Sequence, residues 1–310
     1  MLNLARASAL CIAVAVAFGI LAPSAFAQNA PPKPMTQEQL QKEAMESWKA
    51  GFRAAVIGPS STPLSAQGNL QVPDKIAFIP MPQAGRIMRA LGNSVSPNLI
   101  GLVTSVDDNE DWFATISYLP EGYIRDDDAK EWDADELLQN LREGTEHGNK
   151  DRKARGFPEL EIEGWIEKPT YASADHKLVW SAALKDKGAP AGDDKTVNYN
   201  TYVLGREGYL SLNFVTTGSL IEGQKPLVRT LLSGLQFVPG KRYEEFNSST
   251  DKVATYGLAA LVGGAVLKKA GLFAVIAAFF AKFAKVGIFM VIALFGGLFK
   301  FFRRKPGSGA

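Results

Sequence analysis

The spacing of apolar positions changes character several times along the chain, and each change predicts an element. After position 36, Leu40, Ala44 and Trp48 recur at helical spacing. Thr36 stands at the N-cap of that helix. Gln39, three residues on, completes a reciprocal pair that satisfies two otherwise orphaned backbone N–H groups. Residues 58–68 are rich in Pro, Ser and Gly and read as a turn or loop. Residues 75–79 look like a strand, and Pro82 opens a short helix through Leu91. Residues 99–106 and 112–119 are β-rich, with the acidic stretch 107–111 as their hairpin turn. Asp133 with Glu136 marks the next helix start. Ala134, Leu137, Leu138 and Leu141 form its apolar stripe, and it ends near Gly148 or runs on to Gly156.

Beyond Gly156 the period falls to two. In residues 159–167, Leu160, Ile162 and Ile166 point one way, and Glu161, Glu163, Trp165 and Glu167 the other. In residues 177–184, Leu178, Trp180, Ala182 and Leu184 share a face. The runs 197–204 and 209–215 flank Gly205-Arg206-Glu207-Gly208, a hairpin signal. A helix over 219–233 and a strand over 235–238, stopped by Pro239-Gly240, complete the set. Strands, a helix, antiparallel strands, a helix and a strand predict an α+β domain: an antiparallel sheet with packed helices. In element order this resembles the PsbP/Mog1-like α/β/α sandwich.

The two ends follow neither period. Arg6, an uncharged apolar run over 10–22 and Ala25-Phe26-Ala27 have the three parts of a secretory signal, so residues 1–27 read as a signal peptide and the mature chain starts at Gln28. The run is short for a retained span, which needs about 20 residues. The only cysteine, Cys11, lies inside that run behind Leu10, which does not fit a lipoprotein signal. The mature chain then has no disulfide and no thiolate metal ligand.

At the other end, residues 253–302 carry no acidic side chain. Three apolar runs, 257–267, 271–281 and 286–299, are divided by Lys268-Lys269 and by Lys282 and Lys285, and closed by Arg303, Arg304 and Lys305. This predicts a C-terminal transmembrane helix that includes Val286, Phe289, Ile292, Phe295 and Phe299. One crossing leaves Arg303 and Arg304 in the cytoplasm, as the positive-inside rule prefers; two would leave them outside. The residues before the span could lie on the surface as a cationic amphipathic helix. The reading is thus a signal over 1–27, an extracytoplasmic domain over 28–251 and a basic anchor over 252–310, single-pass in the inner membrane.

Charge supports that division. The formal net charge of +2 hides a basic tail, nine Lys/Arg in residues 252–310 without Asp/Glu, and an acidic domain. Residues 28–251 hold 24 Lys/Arg against all 32 Asp/Glu, a net of −8. An acidic domain argues against nucleic acid as a partner. A basic tail suits anionic lipid head groups, leaving membrane lipids and an envelope protein as the expected partners.

Several stretches together resemble the bacterial membrane-anchored family known as domain of unknown function 2167. They are Ile79-Pro-Met-Pro-Gln-Ala-Gly-Arg86, Gly156-Phe-Pro-Glu-Leu-Glu-Ile-Glu-Gly-Trp165, His176-Lys-Leu-Val-Trp180, Val197-Asn-Tyr-Asn-Thr-Tyr-Val-Leu-Gly-Arg206 and Pro239-Gly-Lys-Arg-Tyr243, with its run to Tyr256-Gly-Leu-Ala-Ala260. The resemblance implies a signal peptide, one extracytoplasmic domain and a C-terminal anchor, and carries over no catalytic residue.

The residues offer little chemistry of their own. Two histidines, His147 and His176, are too few for a zinc site of ordinary ligand count. Asp107, Asn109 and Asp111 imitate the start of a calcium loop, but Trp112 stands where it needs glycine and Tyr118 where it needs the bidentate glutamate. There is no G-x-S-x-G, P-loop or G-x-G-x-x-G, so neither catalytic residues nor cofactors are assigned. Three binding candidates remain. Trp165 among carboxylates could stack on a sugar or hold a cation, or be covered by a helix or the preceding linker. His176 follows Asp175 and is a functional residue or a polar turn residue. Arg206 in its Gly-x-x-Gly turn could meet an anion or be an exposed turn residue. The expectation is a membrane-anchored interaction or scaffold protein of the envelope. An envelope hydrolase using carboxylates and a membrane-perturbing or -sensing protein are the alternatives.

Overall fold

Residues 36–107, 109–130, 132–190, 192 and 194–263 are described by a computed structural model. The expected signal peptide over 1–27 and the expected anchor positions Val286 to Arg304 lie outside them. Among the described residues, no helix is long and apolar enough to cross a membrane.

The capping box of Thr36 and Gln39 starts α1 (Gln37–Arg53), which buries Leu40, Ala44 and Trp48. β1 (Val56–Ile57), β2 (Ser60–Leu64), β3 (Gly68–Val72) and β4 (Ile76–Pro80) follow, then α2 (Gln83–Ala90), β5 (Leu99–Ser105) and β6 (Phe113–Leu119). Asp133 caps α3 (Ala134–Ala154) by accepting from the N–H groups of Asp135 and Glu136. This helix takes the longer of the two expected lengths. β7 (Leu160–Ala172), β8 (Lys177–Asp186), β9 (Thr196–Leu204), β10 (Tyr209–Thr217), α4 (Ile221–Gly234), β11 (Leu235–Phe237) and the short α5 (Ala259–Gly263) complete the chain.

Eight strands make one antiparallel sheet in the order β1-β4-β5-β6-β10-β9-β8-β7, and β11-β3-β2 make a second. The α+β expectation therefore holds. The loop expected over 58–68 is instead strand β2, a tight turn and the start of β3. Proline signalled a loop there because it cannot donate to a ladder, but Pro63 sits on an edge strand, where one missing donor is tolerated.

Alternation along the large sheet distinguishes two covered faces. On one, Ile79, Leu102, Phe113 and Val215 pack with Trp48 of α1 and with Ile87 and Met88 of α2. On the other, Phe78, Val103, Ala114, Ile116, Leu212 and Phe214 pack with Leu64 and Leu70 of the small sheet and Leu231 of α4. Trp112 stacks on Phe214 there at 5.0 Å. Helix α3 lies along the β7 edge of the first face. Asn149 fixes it to the strand, donating from Nδ2 to the Leu160 carbonyl and accepting the Leu160 N–H, both at 2.8 Å.

Candidate functional site

Strand β7 departs from simple alternation, and this decides the fate of Trp165. Ile162 pairs with Leu184 but Gly164 with Ala183, so one extra residue is inserted and the side-chain phase flips. Trp165 then pairs with Ala182 and joins Leu160 and Ile162 on the α3 face, while Ile166 is left exposed. This reverses the expected sides of both residues. The Trp165 indole N–H donates to the Ala134 carbonyl at 3.0 Å, and its ring meets Trp180 edge-on at 5.8 Å. On the opposite side, Lys185 binds Glu161 and Glu163 at 2.9 and 3.1 Å, and Lys195 also binds Glu163. Hydrogen bonds from Lys195 and then Lys185 hold the Glu163 carboxyl below the usual range.

Arg206 stands in the β9–β10 turn. Its Nε and Nη2 donate to the two oxygens of Asp251 at 2.6 and 2.9 Å, and Nη1 reaches the Gly240 carbonyl at 3.3 Å. A planar fork on a carboxylate is the geometry in which arginine binds most specifically. Asp251 also accepts from the Asn247 N–H at 2.7 Å and the Thr250 hydroxyl at 2.9 Å. The Arg206 hydrogen bonds, then that N–H, hold its carboxyl far below the ordinary range.

His176 closes the turn between β7 and β8 with φ of +50°, a left-handed conformation uncommon outside glycine. The Tyr171 hydroxyl donates to Asp126 Oδ2 at 2.8 Å and lies 3.2 Å from His176 Nδ1. With its only proton on the carboxylate, the Tyr171 oxygen is an acceptor, which places the imidazole proton on Nδ1. Burial, then the Asp126 hydrogen bond, pushes Tyr171 ionisation far up, so it serves as a neutral donor and not as a nucleophile at neutral pH. The imidazole packs on Tyr243 at 4.1 Å. Tyr243 stacks on Tyr123 at 4.4 Å, Tyr123 on Phe246 at 3.9 Å, and the Tyr243 hydroxyl donates to the Ile124 carbonyl at 2.9 Å.

His176 and Arg206 therefore hold one segment, the strap that runs from Pro239 into α5. Tyr123 adds a backbone bridge to it: its N–H donates to the Lys252 carbonyl and its carbonyl accepts from the Ala254 N–H, both at 2.8 Å. The Asp128 carboxylate takes the Leu258 and Ala259 N–H groups at 3.0 and 3.3 Å. Leu258, Leu261 and Val262 are buried. Trp165 takes no part. Tyr171, Tyr123, Tyr243 and Asp251 went unnoticed in the sequence as binding groups. Tyr243 did stand in a stretch that carried the family resemblance, but its partners lie far away along the chain.

The acidic turns also have local explanations. Asp107 accepts from both the backbone N–H and the side-chain amide of Asn109 at 2.9 Å, as in an ordinary turn. Among the described residues no three or more His, Cys, Asp or Glu are grouped so as to hold a metal ion. The arrangement of Asp126, Tyr171, His176 and Arg206 is thus a clamp on the strap.

No curated protein matches the chain. Among solved structures it is similar to the solution structure of cyanobacterial PsbP (CyanoP) from Synechocystis sp. PCC 6803, at 10% identity over 57% of this chain and 90% of that one, with a TM-score of 0.35. The family model described as "Protein of unknown function (DUF2167)" matches residues 57–295, from β1 through the strap and beyond it, and the chain belongs to that family.

Proposed function

We propose that this chain is an extracytoplasmic interaction or scaffold module of the bacterial envelope, freed of its signal peptide and anchored in the inner membrane by one crossing of its C-terminal tail. The observation that carries this reading is the strap. The segment leading from the sheet toward the tail is bound to the domain by Arg206, Tyr123, His176 and Asp128, and its last buried side chain is Val262. Only five residues of sequence separate Val262 from Lys268, the first lysine of the apolar tail. The strap therefore carries the folded domain to within a few residues of that tail along the chain. The family match supports the reading because it extends across the domain into the apolar tail. Charge supports it too, since the acidic domain is repelled by an anionic surface that attracts the basic tail.

A pair of fusions after Ala310 tests the topology. One crossing gives a bright fluorescent protein and an inactive alkaline phosphatase; the opposite pattern overturns it. Crosslinking in intact cells tests the role. The full chain should capture a recurrent envelope protein, and a variant with its strap freed should capture less of it. Capture that is unchanged by freeing the strap would remove the reason for this reading.

A further inference from the structure

The edge of the large sheet opposite β7 carries apolar side chains in water. There β1 is the outermost strand, and only its inner side is paired, Val56 with Phe78 and Ile57 with Ala77. Val56 thus shares the face of the small sheet and Ile57 the face of α1 and α2, so the edge is apolar on both sides. These two side chains are 41% and 57% exposed, and Met81, just past the end of the neighbouring β4, is 39% exposed. The Met81 N–H donates to the Ile100 carbonyl at 3.2 Å, which fixes it at that corner. Among the described residues these are three of the six exposed large apolar side chains. Single exposed apolar residues need no explanation, but three at one corner do.

The charge around them is opposite in sign to that of the rest of the domain. Residues 37–91, which make α1, β1 to β4 and α2, hold six Lys/Arg against four Asp/Glu, whereas residues 92–251 hold 17 against 28. Exposed Arg53 stands in the last turn of α1, three residues before Val56. Exposed Lys75 precedes Ile76, whose carbonyl accepts the N–H of Gly58, next to Ile57, at 2.8 Å. Of the four carboxylates, Glu43 and Glu46 are matched by Arg86 and Lys49 at 2.8 and 3.0 Å. Glu38 lies in the first turn of α1, at its far end, and Asp74 stands beside Lys75. Toward β5 the patch ends at Val106, where Asp107 begins an acidic turn. An apolar tip beside arginine and lysine suits an anionic bilayer, where the side chains enter the head-group boundary and the cations meet phosphates. The same surface repels the acidic remainder of the domain, which turns the cationic corner toward it. With two residues, β1 is too short to template a partner's strand. We propose that this corner, with Val56, Ile57 and Met81 as its tip and Arg53 and Lys75 beside them, rests on an anionic lipid surface as a membrane contact separate from the tail. The inference rests on the anchored reading given above.

The test uses the full chain with Cys11→Ser and one labelling site, Ile57→Cys, carrying an environment-sensitive fluorophore. Ile166→Cys is the control, because Ile166 is as exposed as Val56 but lies on the opposite edge strand, β7, in the acidic section. Each chain is reconstituted into phosphatidylcholine vesicles with or without phosphatidylglycerol, floated on a density gradient and quenched with doxyl-labelled lipid. The expected result is quenching at position 57 and not at position 166, dependent on phosphatidylglycerol, and several-fold weaker when Arg53→Gln and Lys75→Gln are combined. The lipid comparison needs no charge variant and decides alone if that pair fails to fold. A chain that floats while position 57 stays unquenched, or is quenched equally without phosphatidylglycerol or equally at position 166, refutes this contact and leaves the anchor standing. A chain that does not float refutes the anchor and this contact together. Disulfide-linked pairs of the unlabelled Ile57→Cys chain, without quenching, would make the edge an interface between two copies and overturn the proposal as well.

Discussion

Replacing Tyr243 tests whether the strap is an integral layer of the domain. Tyr243 is 6% exposed, lies between His176 and Tyr123, and donates to the Ile124 carbonyl. Tyr243→Phe keeps the rings packed but leaves that buried carbonyl without its donor, a cost of about 1–3 kcal/mol. Tyr243→Ala also opens a cavity, and truncating a buried aromatic costs about 3–5 kcal/mol. For a domain of this size each kcal/mol lowers the melting temperature by about 2–4 °C. Tyr243→Ala should therefore melt on the order of 10 °C or more below wild type, and Tyr243→Phe only a few degrees below. Limited trypsin digestion separates local release from general weakening. Lys252 is held by its carbonyl to Tyr123, and cleavage after it should become fast in Tyr243→Ala at temperatures where the sheet is still folded. A Tyr243→Ala protein that melts within about 2 °C of wild type and resists cleavage at Lys252 would refute the reasoning, since a shift that small is worth under about 1 kcal/mol.

The Asp251 carboxyl is depressed first by the Arg206 hydrogen bonds, so in acid the folded state binds fewer protons than the unfolded chain. The stability this pair supplies is present above the ordinary value of 3.8 and is lost as pH falls below it. Urea titrations should therefore show Arg206→Leu much less stable than wild type at neutral pH, with the gap narrowing toward about pH 2; a gap that stays constant contradicts the assignment. Tyr171, Tyr243, Tyr209 and Tyr256 are all pushed up, mainly by burial. Their contribution is complete below the unfolded value of 10.0 and is lost as pH rises beyond it. Tyrosinate absorbance should consequently appear together with loss of circular dichroism, and ionisation of these groups in a still-folded protein would count against their burial. A Cβ on Gly257 would stand 2.2 Å from Asp128 Oδ2. Gly257→Ala should weaken the carboxylate's hold on Leu258 and Ala259 and increase hydrogen exchange there, whereas unchanged exchange would show that the loop gives way freely.

Much of the fold was legible because local chemistry and tertiary packing agreed. Thr36 and Gln39, and Asp133 with its first-turn partners, cap helices wherever the sequence is read. The even positions Leu178 to Leu184 of β8 are buried on one face as their alternation implied. The failures have physical causes. Residues 58–68 carry turn composition but lie beside β3, and the ladder overrides propensity at an edge where Pro63 does no harm. Trp165 was assigned to the acidic side because alternation assumes an unbroken strand. The extra residue between Ile162 and Gly164 leaves no mark in the pattern, since Glu163 takes the polar place that unbroken alternation would give it. The clamp was half legible. His176 and Arg206 stood out by type, but Asp251 and Tyr243, which give them their role, are reached only through the sheet topology.

The same topology explains why β9 gave no warning of its buried asparagines. An alternating strand is ordinarily sorted into an inner apolar face and an outer polar one. Residues 197–204 alternate between Val197, Tyr199, Thr201 and Val203 on one side and Asn198, Asn200, Tyr202 and Leu204 on the other. On the usual rule the asparagines should face water. In this sheet both sides are covered, and Val203 and Asn200 are alike buried. Alternation here separates two buried layers, so a polar side is not a solvated side. Two asparagines spaced by one residue, opposite a third on the paired strand, then become a demand for hydrogen bonds inside the protein. Such a demand is costly to leave unmet, and its position on the interior strands β9 and β10 places it away from both sheet edges. A sequence in which a central strand of a doubly covered sheet keeps amides where leucine or valine would pack more simply has given up stability at that place.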